Sequence, residues 1–326
     1  MAGMGKRMRP HTLTTPKPLI HLAGKPIVEH LIDEISQSVK EPIDEIAFII
    51  GNFGEKTEQA LKDAAAKINA KGSIYHQTEA LGTAHAILCA AASLHGPVVV
   101  AFADTLFFSQ GKLSLDKDSI IWTKKVNDPS AFGVVLADQF NRITGFVEKP
   151  KTPVSNQAII GIYFFKDGEN LKNELQFLID NNIKKGDEYQ LTDALQNMME
   201  KGLKFYSEPV DEWLDCGNKE ATVSTHTCVL RHIGHYVDPR AIVEDSIIIP
   251  PCFIAADTRI NQSVVGPFVS IESGSKIEHS VLSESIIQKK SEVENMVLTR
   301  SMIGNEAYIN TKVTSVNLGD FSRLES

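Results

Sequence analysis

The sequence has few of the features that define several large protein classes. Only 4 of its 326 residues are cysteine, and no two form a Cys-x-x-Cys pair, so neither a disulfide scaffold nor a structural zinc site is expected. The histidines show no His-x-x-x-His spacing of a metal site. No apolar run reaches the roughly 18–20 residues of a membrane span, and no signal-type apolar segment opens the chain. The net charge of −8 argues against nucleic-acid and anionic-membrane binders. We expect a cytoplasmic protein that binds neither nucleic acid nor membranes.

What the sequence does contain is two halves with different hydrophobic periods. From Lys25 to about Gly168, segments with helical spacing alternate with short apolar runs such as Ile46–Ile50. This order predicts an α/β fold of three layers. The run Pro97–Ala103 lacks polar alternation, which is typical of a strand at the centre of a parallel sheet. Strands continue to about Pro209, and a helix is predicted from about Lys219 to His232.

After Gly234 the aliphatic residues recur every six positions, as at Ile242, Ile248, Ile254 and Ile260. This period fits a β-solenoid in which each short strand turns one aliphatic side chain inward. An antiparallel sandwich with chance spacing is the alternative. A solenoid exposes a flat flank, so we expect a homo-oligomer formed through it. The predicted domains are residues 1–218, a linker helix at 219–234, and a small β-helix domain at 235–326.

A glycine loop, Gly3-Met4-Gly5-Lys6-Arg7, lies at the start of the chain. Glycines let backbone N–H groups approach phosphate oxygens, and the Arg7 guanidinium adds a planar fork. Lys17, between two prolines, could present its ammonium group to the same phosphates. The loop lacks the third glycine and the downstream acid of a dinucleotide fingerprint, so a NAD site is disfavoured. A basic surface loop is the alternative interpretation.

Two aspartates follow apolar segments and are candidate metal ligands. Asp104 comes directly after Pro97–Ala103, and ligands bind outside the carboxyl ends of sheet strands. A carboxylate there suits a hard cation such as Mg²⁺, although a helix N-cap or turn is the alternative. Asp215 follows Trp213-Leu214 and could share that metal, but the sequence does not show that the two carboxylates meet.

Two further groups are candidates for binding a base and a sugar. The Gln77 amide carries both a donor and an acceptor for a base edge, and Gly82 would let the base lie against the backbone. The Glu148 carboxylate can accept sugar hydroxyls, and Lys149 can bind a phosphate. The alternative for Glu148-Lys149 is an exposed ion pair before a turn.

In order along the chain, these motifs resemble those of the sugar-phosphate nucleotidyltransferases. The resemblance covers about the first 220 residues, and the C-terminal repeat is similar to the left-handed β-helix that many members carry. It implies a Rossmann-like nucleotidyltransferase domain followed by a small hexapeptide-repeat domain. The motifs are Gly3-x-Gly5-x-Arg7-x-x-Pro10, Pro16-Lys17-Pro18-Leu19, Leu81-Gly82-Thr83-Ala84, Asp104, Phe132-Gly133-Val134-Val135, Phe146-Val147-Glu148-Lys149-Pro150, Gly161-Ile162-Tyr163 and Trp213-x-Asp215-x-Gly217.

The resemblance implies a reaction between an NTP and a sugar 1-phosphate that gives an NDP-sugar and pyrophosphate. The sugar phosphate oxygen attacks the α-phosphorus in line, so catalysis is mainly positioning and charge neutralisation. The implied catalytic residues are Arg7 and Lys17, and Mg²⁺ would be held by Asp104 and Asp215. The implied nucleotide-binding residues are Ala2, Gly3, Gly5, Gln77 and Gly82. The sugar and its phosphate would be bound by Gly133, Glu148 and Lys149.

Several alternatives stay open at this stage. Members that transfer a thymidylyl group to glucose 1-phosphate resemble the chain most, with UTP- and GTP-using members close behind. A non-catalytic regulatory relative is disfavoured because Arg7, Lys17 and both aspartates are present. An acyltransferase with His279 as base is disfavoured by the few, irregular repeats. Ala2 and Ala103 stand where the family has glycine. Only two residues precede Gly3, too few for the usual first strand, so we hypothesise that the true start lies several residues upstream.

Overall fold

The structure, a computed structural model, describes residues 5–39, 41–111, 116–152 and 154–311. It consists of two compact units. The first unit comprises the chain up to Ile20 and residues Pro26–Ala221. The second unit comprises His21–Lys25 and the chain from Thr222 onward. Within the described ranges, no helix combines the length and the apolar character needed to cross a membrane.

Helices and strands alternate along the first part of the chain, as the sequence predicts. Short 3₁₀ turns lie at Lys6–Met8, His11–Leu13, Lys17–Leu19 and Ala91–Ser93. The helices are α1 Ile27–Val39, α2 Glu55–Ala66, α3 Thr83–Leu88, α4 Gly168–Asp180 and α5 Leu191–Glu200. The strands are β1 His21–Leu22, β2 Lys25–Pro26, β3 Glu45–Ile50, β4 Lys71–His76, β5 Val98–Ala101, β6 Thr105–Phe108, β7 Ser119–Lys125, β8 Gly133–Ala137, β9 Ile143–Glu148, β10 Gln157–Phe165, β11 Phe205–Pro209 and β12 Glu212–Asp215.

The largest sheet of this unit has the order β11-β7-β10-β8-β9, and β5 also pairs with β10. Among its described strands only β7 and β11 run parallel, and β5 pairs antiparallel with β10, Val98 lying opposite Phe165. The prediction that Pro97–Ala103 lies at the centre of a parallel sheet is therefore wrong. An unbroken apolar run reports partial burial on both faces of a strand and carries no information about the direction of its neighbours. Two smaller ladders complete the unit, β3 with β4 in parallel and β6 with β12 in antiparallel.

Two apolar clusters hold the helices on these strands. In the first, Leu171 and Leu175 of α4 and Leu195 of α5 pack with Phe165 and Phe205 of the large sheet. In the second, side chains of α1 and α2 pack on β3 and β4, and they include Val28, Ile32, Phe48 and Leu61. The amphipathic spacing of each helix supplies its buried face, so the predicted α/β fold is confirmed.

The second unit contains helix α6, Lys219–Ile233, from Thr222 onward, followed by a three-sided parallel β-solenoid. One ladder is β13 Tyr236–Val237, β16 Cys252–Ile254, β19 Val269–Ile271, β22 Ile286–Ile287 and β25 Met302–Ile303. The next is β14 Ile242–Glu244, β17 Arg259–Asn261, β20 Lys276–Glu278, β23 Glu292–Glu294 and β26 Tyr308–Asn310. The third is β15 Ile247–Ile248, β18 Val264–Val265, β21 Val281–Ser283 and β24 Val297–Thr299. The predicted β-helix is confirmed.

The side chains that point into the solenoid form aligned columns. Ile260, Ile277 and Val293 are in register on successive coils and are almost completely buried. The sequence places Ile242 in this column, but it is Val243 that pairs with Ile260, and Ile242 lies outward opposite Arg259. The predicted inward position in the first coil is therefore wrong by one residue, because the step from Val243 to Ile260 is one residue shorter than three sides of six residues.

The segment His21–Lys25 is attached to the solenoid by polar contacts. The Gly24 N–H donates to Glu272 Oε1 at 3.1 Å, and the Gln288 amide donates to the His21 carbonyl at 2.9 Å. Glu272 Oε2 also lies 3.2 Å from His21 Nδ1. Glu272 is only 3% exposed, so its carboxylate depends on these partners. A piece of chain far upstream of the solenoid in sequence is thus part of the second unit.

Candidate active site

The first unit contains a cavity of about 490 Å³ at the ends of several strands. Five of the residues selected from the sequence line it, namely Arg7, Asp104, Gly133, Glu148 and Asp215. Arg7 lies in the first 3₁₀ turn, Asp104 directly precedes β6, and Asp215 ends β12. Gly133 and Glu148 belong to the β8–β9 hairpin. The tertiary structure therefore brings charged groups from the start of this unit's sequence, at Arg7, next to one near its end, at Asp215.

The pairing of β6 with β12 places the two aspartates side by side. Asp215 is opposite Thr105 in this antiparallel ladder, and the Cys216 N–H donates to the Asp104 carbonyl at 3.0 Å. Asp215 Oδ1 accepts the Gly217 N–H at 2.8 Å, which fixes the orientation of its carboxylate. The register makes the two residues close neighbours, and both line the cavity, whereas a metal shared by the two carboxylates stays a prediction.

Two cationic side chains face these carboxylates. Lys17 Nζ is 3.1 Å from Asp104 Oδ2, and the Lys17 side chain is only 13% exposed. Lys17 begins a 3₁₀ turn that directly follows Pro16, whose carbonyl accepts the Leu19 N–H at 2.8 Å. Proline fixes φ and so limits the directions in which this turn can leave the chain. The prolines flanking Lys17 therefore restrict its backbone, and the ion pair with Asp104 holds its ammonium group at the edge of the cavity that carries Asp104 and Asp215, the carboxylate edge.

Arg7 lies at the same edge of the cavity. A Cβ atom built on Gly217 would lie 2.9 Å from Asp215 Oδ1 and 3.2 Å from Arg7 Nη2. Both side chains thus converge on this backbone position, which only a residue without a side chain leaves open. The edge carries two positive and two negative groups, an arrangement suited to a polyphosphate with a bound cation.

The donor set of this edge fits Mg²⁺. Within the described residues there is no cluster of three or more His, Cys, Asp or Glu side chains that could cage a metal by itself. Mg²⁺ typically takes one or two carboxylates and completes its shell with water and substrate phosphates. Asp104 and Asp215 provide that pair of oxygen donors, and the Asp104 side chain is 48% exposed.

The opposite wall of the cavity is formed by the β8–β9 hairpin. Gly133 is paired with Glu148, and a Cβ on Gly133 would lie 2.8 Å from Glu148 Oε2. A side chain at position 133 would therefore displace the Glu148 carboxylate from its place across this strand. Burial, together with the negative charge of Glu148, raises the pKa of Tyr163, so its hydroxyl stays protonated. Lys149 Nζ lies 3.8 Å from Glu148 Oε1 on a side chain that is two-thirds exposed.

Gln77 and Gly82 do not line the cavity described above. The Gln77 amide donates to the Gly82 carbonyl at 3.2 Å and lies 3.1 Å from His85 Nδ1. Gly82 has φ +107°, and a Cβ on it would lie 2.4 Å from the Tyr189 carbonyl oxygen. In this structure Gly82 permits a close backbone approach to Tyr189, and the contact of both residues with a base stays a prediction.

The glycine loop is only partly described. Ala2 and Gly3, two of the predicted nucleotide-binding residues, lie outside the described residues. Gly5 is described and has φ +55°, and its carbonyl accepts a hydrogen bond from the Thr12 hydroxyl at 2.8 Å. Its predicted contact with phosphate stays a prediction.

Several cavity residues were not selected from the sequence. Gln190, Leu191 and Thr192 line the cavity at the start of α5. They are attached to the α3 turn by the Leu191 N–H, which donates to Thr83 Oγ1 at 2.9 Å. This contact spans 108 positions, and no local pattern signals it. The wall is completed by Thr83, Phe102, Thr105, Ala131, Phe132, Ile159, Ile160, Gly161, Tyr163 and Trp213.

Comparisons with known proteins agree with this architecture. Residues 1–231 match a family model described as nucleotidyl transferase, and residues 226–314 match one described as GlmU-like, C-terminal hexapeptide. A glucose-1-phosphate thymidylyltransferase of Streptomyces antibioticus is 28% identical over 99% of this chain and 97% of its own length. A bifunctional protein GlmU of Methanococcus maripaludis is 31% identical over 77% of this chain, which spans 60% of that relative. The crystal structure of a UDP-glucose pyrophosphorylase complexed with UDP-glucose has a TM-score of 0.57 and 25% identity, covering 71% of this chain and 96% of that one.

Proposed function

Because the chain belongs to the nucleotidyl transferase family, we propose that it transfers a nucleotidyl group from an NTP to a sugar 1-phosphate, with release of pyrophosphate. The resemblance stated from the motifs is confirmed by the family match and by the relative that aligns over nearly the whole chain. The observation that carries the proposal is the convergence of Arg7, Lys17, Asp104 and Asp215 at one edge of a cavity whose other wall bears Glu148. This arrangement supports the proposal that the charged edge binds phosphates and that the wall with Glu148 binds the sugar.

The proposed reaction is an in-line displacement at the α-phosphorus. A phosphate oxygen of the sugar 1-phosphate forms the new P–O bond while the bond to the leaving pyrophosphate breaks, so no covalent enzyme intermediate is needed. Arg7 and Lys17 neutralise charge on the reacting phosphates, and the ion pair with Asp104 orients the Lys17 ammonium group. Glu148 accepts sugar hydroxyls, and the protonated Tyr163 beside it donates to a sugar oxygen. Lys149, exposed beside Glu148, binds the phosphate of the sugar.

Asp104 and Asp215 are the residues that would hold Mg²⁺. When bound, this cation would add charge neutralisation on the triphosphate. In the structure, Lys17 serves as the cationic partner of Asp104, at 3.1 Å. The Asp104 carboxylate has two oxygens, so one can stay with Lys17 while the other points into the cavity. We propose that this shared carboxylate couples the position of Lys17 to that of the phosphates.

We propose dTTP and glucose 1-phosphate as the substrates. The support is the full-length similarity to a protein described as a glucose-1-phosphate thymidylyltransferase. The similarity to a UDP-glucose pyrophosphorylase makes UTP the main alternative. A panel of four NTPs against glucose 1-phosphate and amino-sugar 1-phosphates, with pyrophosphate release as readout, ranks these pairs. If glucose 1-phosphate gave no pyrophosphate release with any of the four NTPs, the sugar assignment would be contradicted. The cytoplasmic location remains a prediction.

The proposed activity is tested by isosteric removal of the two carboxylate charges. Asp104→Asn and Asp215→Asn should each lower the rate of pyrophosphate release at least about 100-fold, because each removes an electrostatic partner of the reacting phosphates. Asp63→Asn is the matched control, since Asp63 is exposed on α2 and its carboxylate accepts from the Gln59 amide of the same helix. Circular dichroism verifies folding. Near-full turnover in both site variants would contradict the metal assignment, and no turnover in the wild type with any substrate pair would contradict the function.

We also propose that copies of the chain associate through the third ladder of the solenoid. Its strands place Ile247, Val264, Val281 and Val297 outward in register on successive coils. Ile247 is 62% exposed, Val281 45% and Val297 81%. No charged residue lies within these four strands, whereas the second ladder carries Arg259, Lys276 and Glu292 at the equivalent outward positions. Exposed aliphatic patches mark protein–protein contact sites, and burying this uncharged column between copies with net charge −8 brings no like charges of these strands together.

Sedimentation velocity tests this association. Val281→Lys adds one positive charge to the aliphatic column and should shift the protein toward monomer. Glu292→Gln changes the net charge by the same amount on the neighbouring ladder and should leave the oligomer intact. A wild-type protein that is monomeric at all accessible concentrations would contradict the proposal.

A further inference from the structure

The strand pair that carries the two aspartates is joined by a hydrogen bond between side chains. Trp213 Nε1 donates to Thr105 Oγ1 at 2.6 Å, and Thr105 is 5% exposed. The ladder of β6 and β12 is a separate two-stranded sheet of four residue pairs. A sheet of this size is at best marginally stable by itself. Side-chain contacts across it are therefore a main determinant of its register.

The register explains why this contact bears on the carboxylates. Trp213 is opposite Phe107 and Asp215 is opposite Thr105. Because side chains alternate along a strand, Trp213 and Asp215 share one face with Thr105 and Phe107, and Trp213 reaches Thr105 diagonally. Thr105 directly follows Asp104, and Trp213 is two residues from Asp215. The hydrogen bond therefore joins the two strands immediately beside the two carboxylates.

Trp213 also contacts the opposite wall of the cavity. Its ring lies 4.8 Å from that of Phe132, centre to centre, in an edge-to-face arrangement. Phe132 precedes Gly133, which is paired with Glu148. The indole is thus attached at one end to the carboxylate edge and at the other to the segment that bears the sugar-binding wall.

We propose that Thr105 and Trp213 are positioning residues that set the separation of Asp104 and Asp215 for a divalent cation, and that Trp213 aligns this edge with the Gly133–Glu148 wall. The inference rests on the proposed function for its catalytic consequence, but its cation-binding consequence is measured without turnover. Neither side chain needs to touch the cation. Removing the Thr105 hydroxyl leaves the indole N–H without its acceptor in a mostly buried place, so the strand pair shifts to restore a partner.

The test uses the full-length protein and Mn²⁺ as the probe, with binding followed by electron paramagnetic resonance. Thr105→Val keeps the shape of the side chain but removes the acceptor, and it should weaken Mn²⁺ binding about tenfold, as supporting residues around metal ligands do. Thr105→Ser keeps a hydroxyl and should retain wild-type affinity. Thr123→Val, another buried threonine of the same unit at 3% exposure, is the matched control and should not change affinity.

A second variant keeps the inference testable if Thr105→Val does not fold. Trp213→Phe removes the donor but keeps an aromatic ring against Phe132, and it should weaken Mn²⁺ binding to a similar extent. Wild-type affinity in Thr105→Val or in Trp213→Phe would overturn the inference, and so would a Thr105→Ser variant as weak as Thr105→Val. A wild type that binds Mn²⁺ but releases no pyrophosphate with any substrate pair would instead refute the proposed function and leave the positioning result intact.

Discussion

Replacing Gly82 with alanine tests how the α3 turn is attached to the segment that leads into α5. Gly82 has φ +107° and ψ 178°, a region of backbone conformation that is essentially restricted to glycine. A Cβ atom at this position would lie 2.4 Å from the Tyr189 carbonyl oxygen and 2.7 Å from the Tyr189 nitrogen. Both are backbone atoms, so the clash cannot be relieved by rotating a side chain.

The cost of Gly82→Ala can be estimated from these contacts. Holding a non-glycine residue in this conformation costs about 1–3 kcal/mol. The Tyr189 N–H donates to the Leu81 carbonyl at 2.8 Å, and the Ala84 N–H donates to the Tyr189 carbonyl at 3.0 Å. Each of these bonds contributes about 0.5–1.5 kcal/mol and is strained if Tyr189 moves. A loss of about 4 kcal/mol in a unit of roughly 150–250 residues corresponds to a fall in Tm of about 8–16 °C.

Differential scanning calorimetry of the full chain measures this fall, and Gly202→Ala is the matched control. Gly202 has φ +98°, but a Cβ there would meet no other described residue within 4 Å, so only the backbone cost remains. Displacing Tyr189 also moves Gln190 and Thr192 in the cavity wall, and KM for at least one substrate should rise in Gly82→Ala alone. Equal Tm and KM values for the two variants would refute the argument that Gly82 is required by its contact with Tyr189.

Three further predictions concern the solenoid, pH and the sugar wall. Ile277 is completely buried in the solenoid core, so Ile277→Ala should lower the free energy of solenoid opening, measured by hydrogen exchange, by about 2–5 kcal/mol. Val297 is 81% exposed, so Val297→Ala should change that free energy by less than about 0.5 kcal/mol. Burial lowers the pKa of His11 below 6.5, so below pH 6.5 the folded state binds fewer protons than the unfolded state and stability falls as pH decreases. Urea unfolding from pH 5 to 8 should therefore show a smaller slope of stability against pH in His11→Gln, and an unchanged slope would contradict this assignment. Gly133→Ala, whose Cβ would lie 2.8 Å from Glu148 Oε2, should raise KM for the sugar 1-phosphate but not for the NTP, and an equal rise in both would place Glu148 elsewhere.

Much of the candidate site was predictable because its residues belong to short motifs with a direct chemical reading. Arg7, Lys17 and the two aspartates carry charges in sequence contexts that constrain the backbone, through glycine, proline or the end of an apolar strand. Such contexts are local, and a single sequence contains them. Gln190 and Thr192 have no such context, because they reach the cavity only through the contact of Thr83 with Leu191 across 108 positions.

The errors in the fold have the same origin. The apolar run Pro97–Ala103 correctly indicated a strand, yet its antiparallel pairing with β10 depends on a partner far along the chain. In the solenoid, the six-residue period indicated the architecture, but Ile242 lies outward because the registry of the first coil is set by pairing with Arg259. Hydrophobic periodicity reports which positions are buried on average, and strand partners decide the direction and the register.

The sequence by itself determined the two architectures, the order of the motifs and the chemical character of the groups that would bind phosphate, cation and sugar. These follow from periodicity, from glycine and proline geometry and from charge, which act over a few residues. Only the tertiary structure decided that Asp104 and Asp215 lie side by side, that Lys17 is paired with Asp104, and that Thr105 and Trp213 join the strands that carry them. Those relations arise from hydrogen bonds and packing between segments that are remote in the chain, such as the 108 positions between Thr105 and Trp213, and no local pattern encodes such distances.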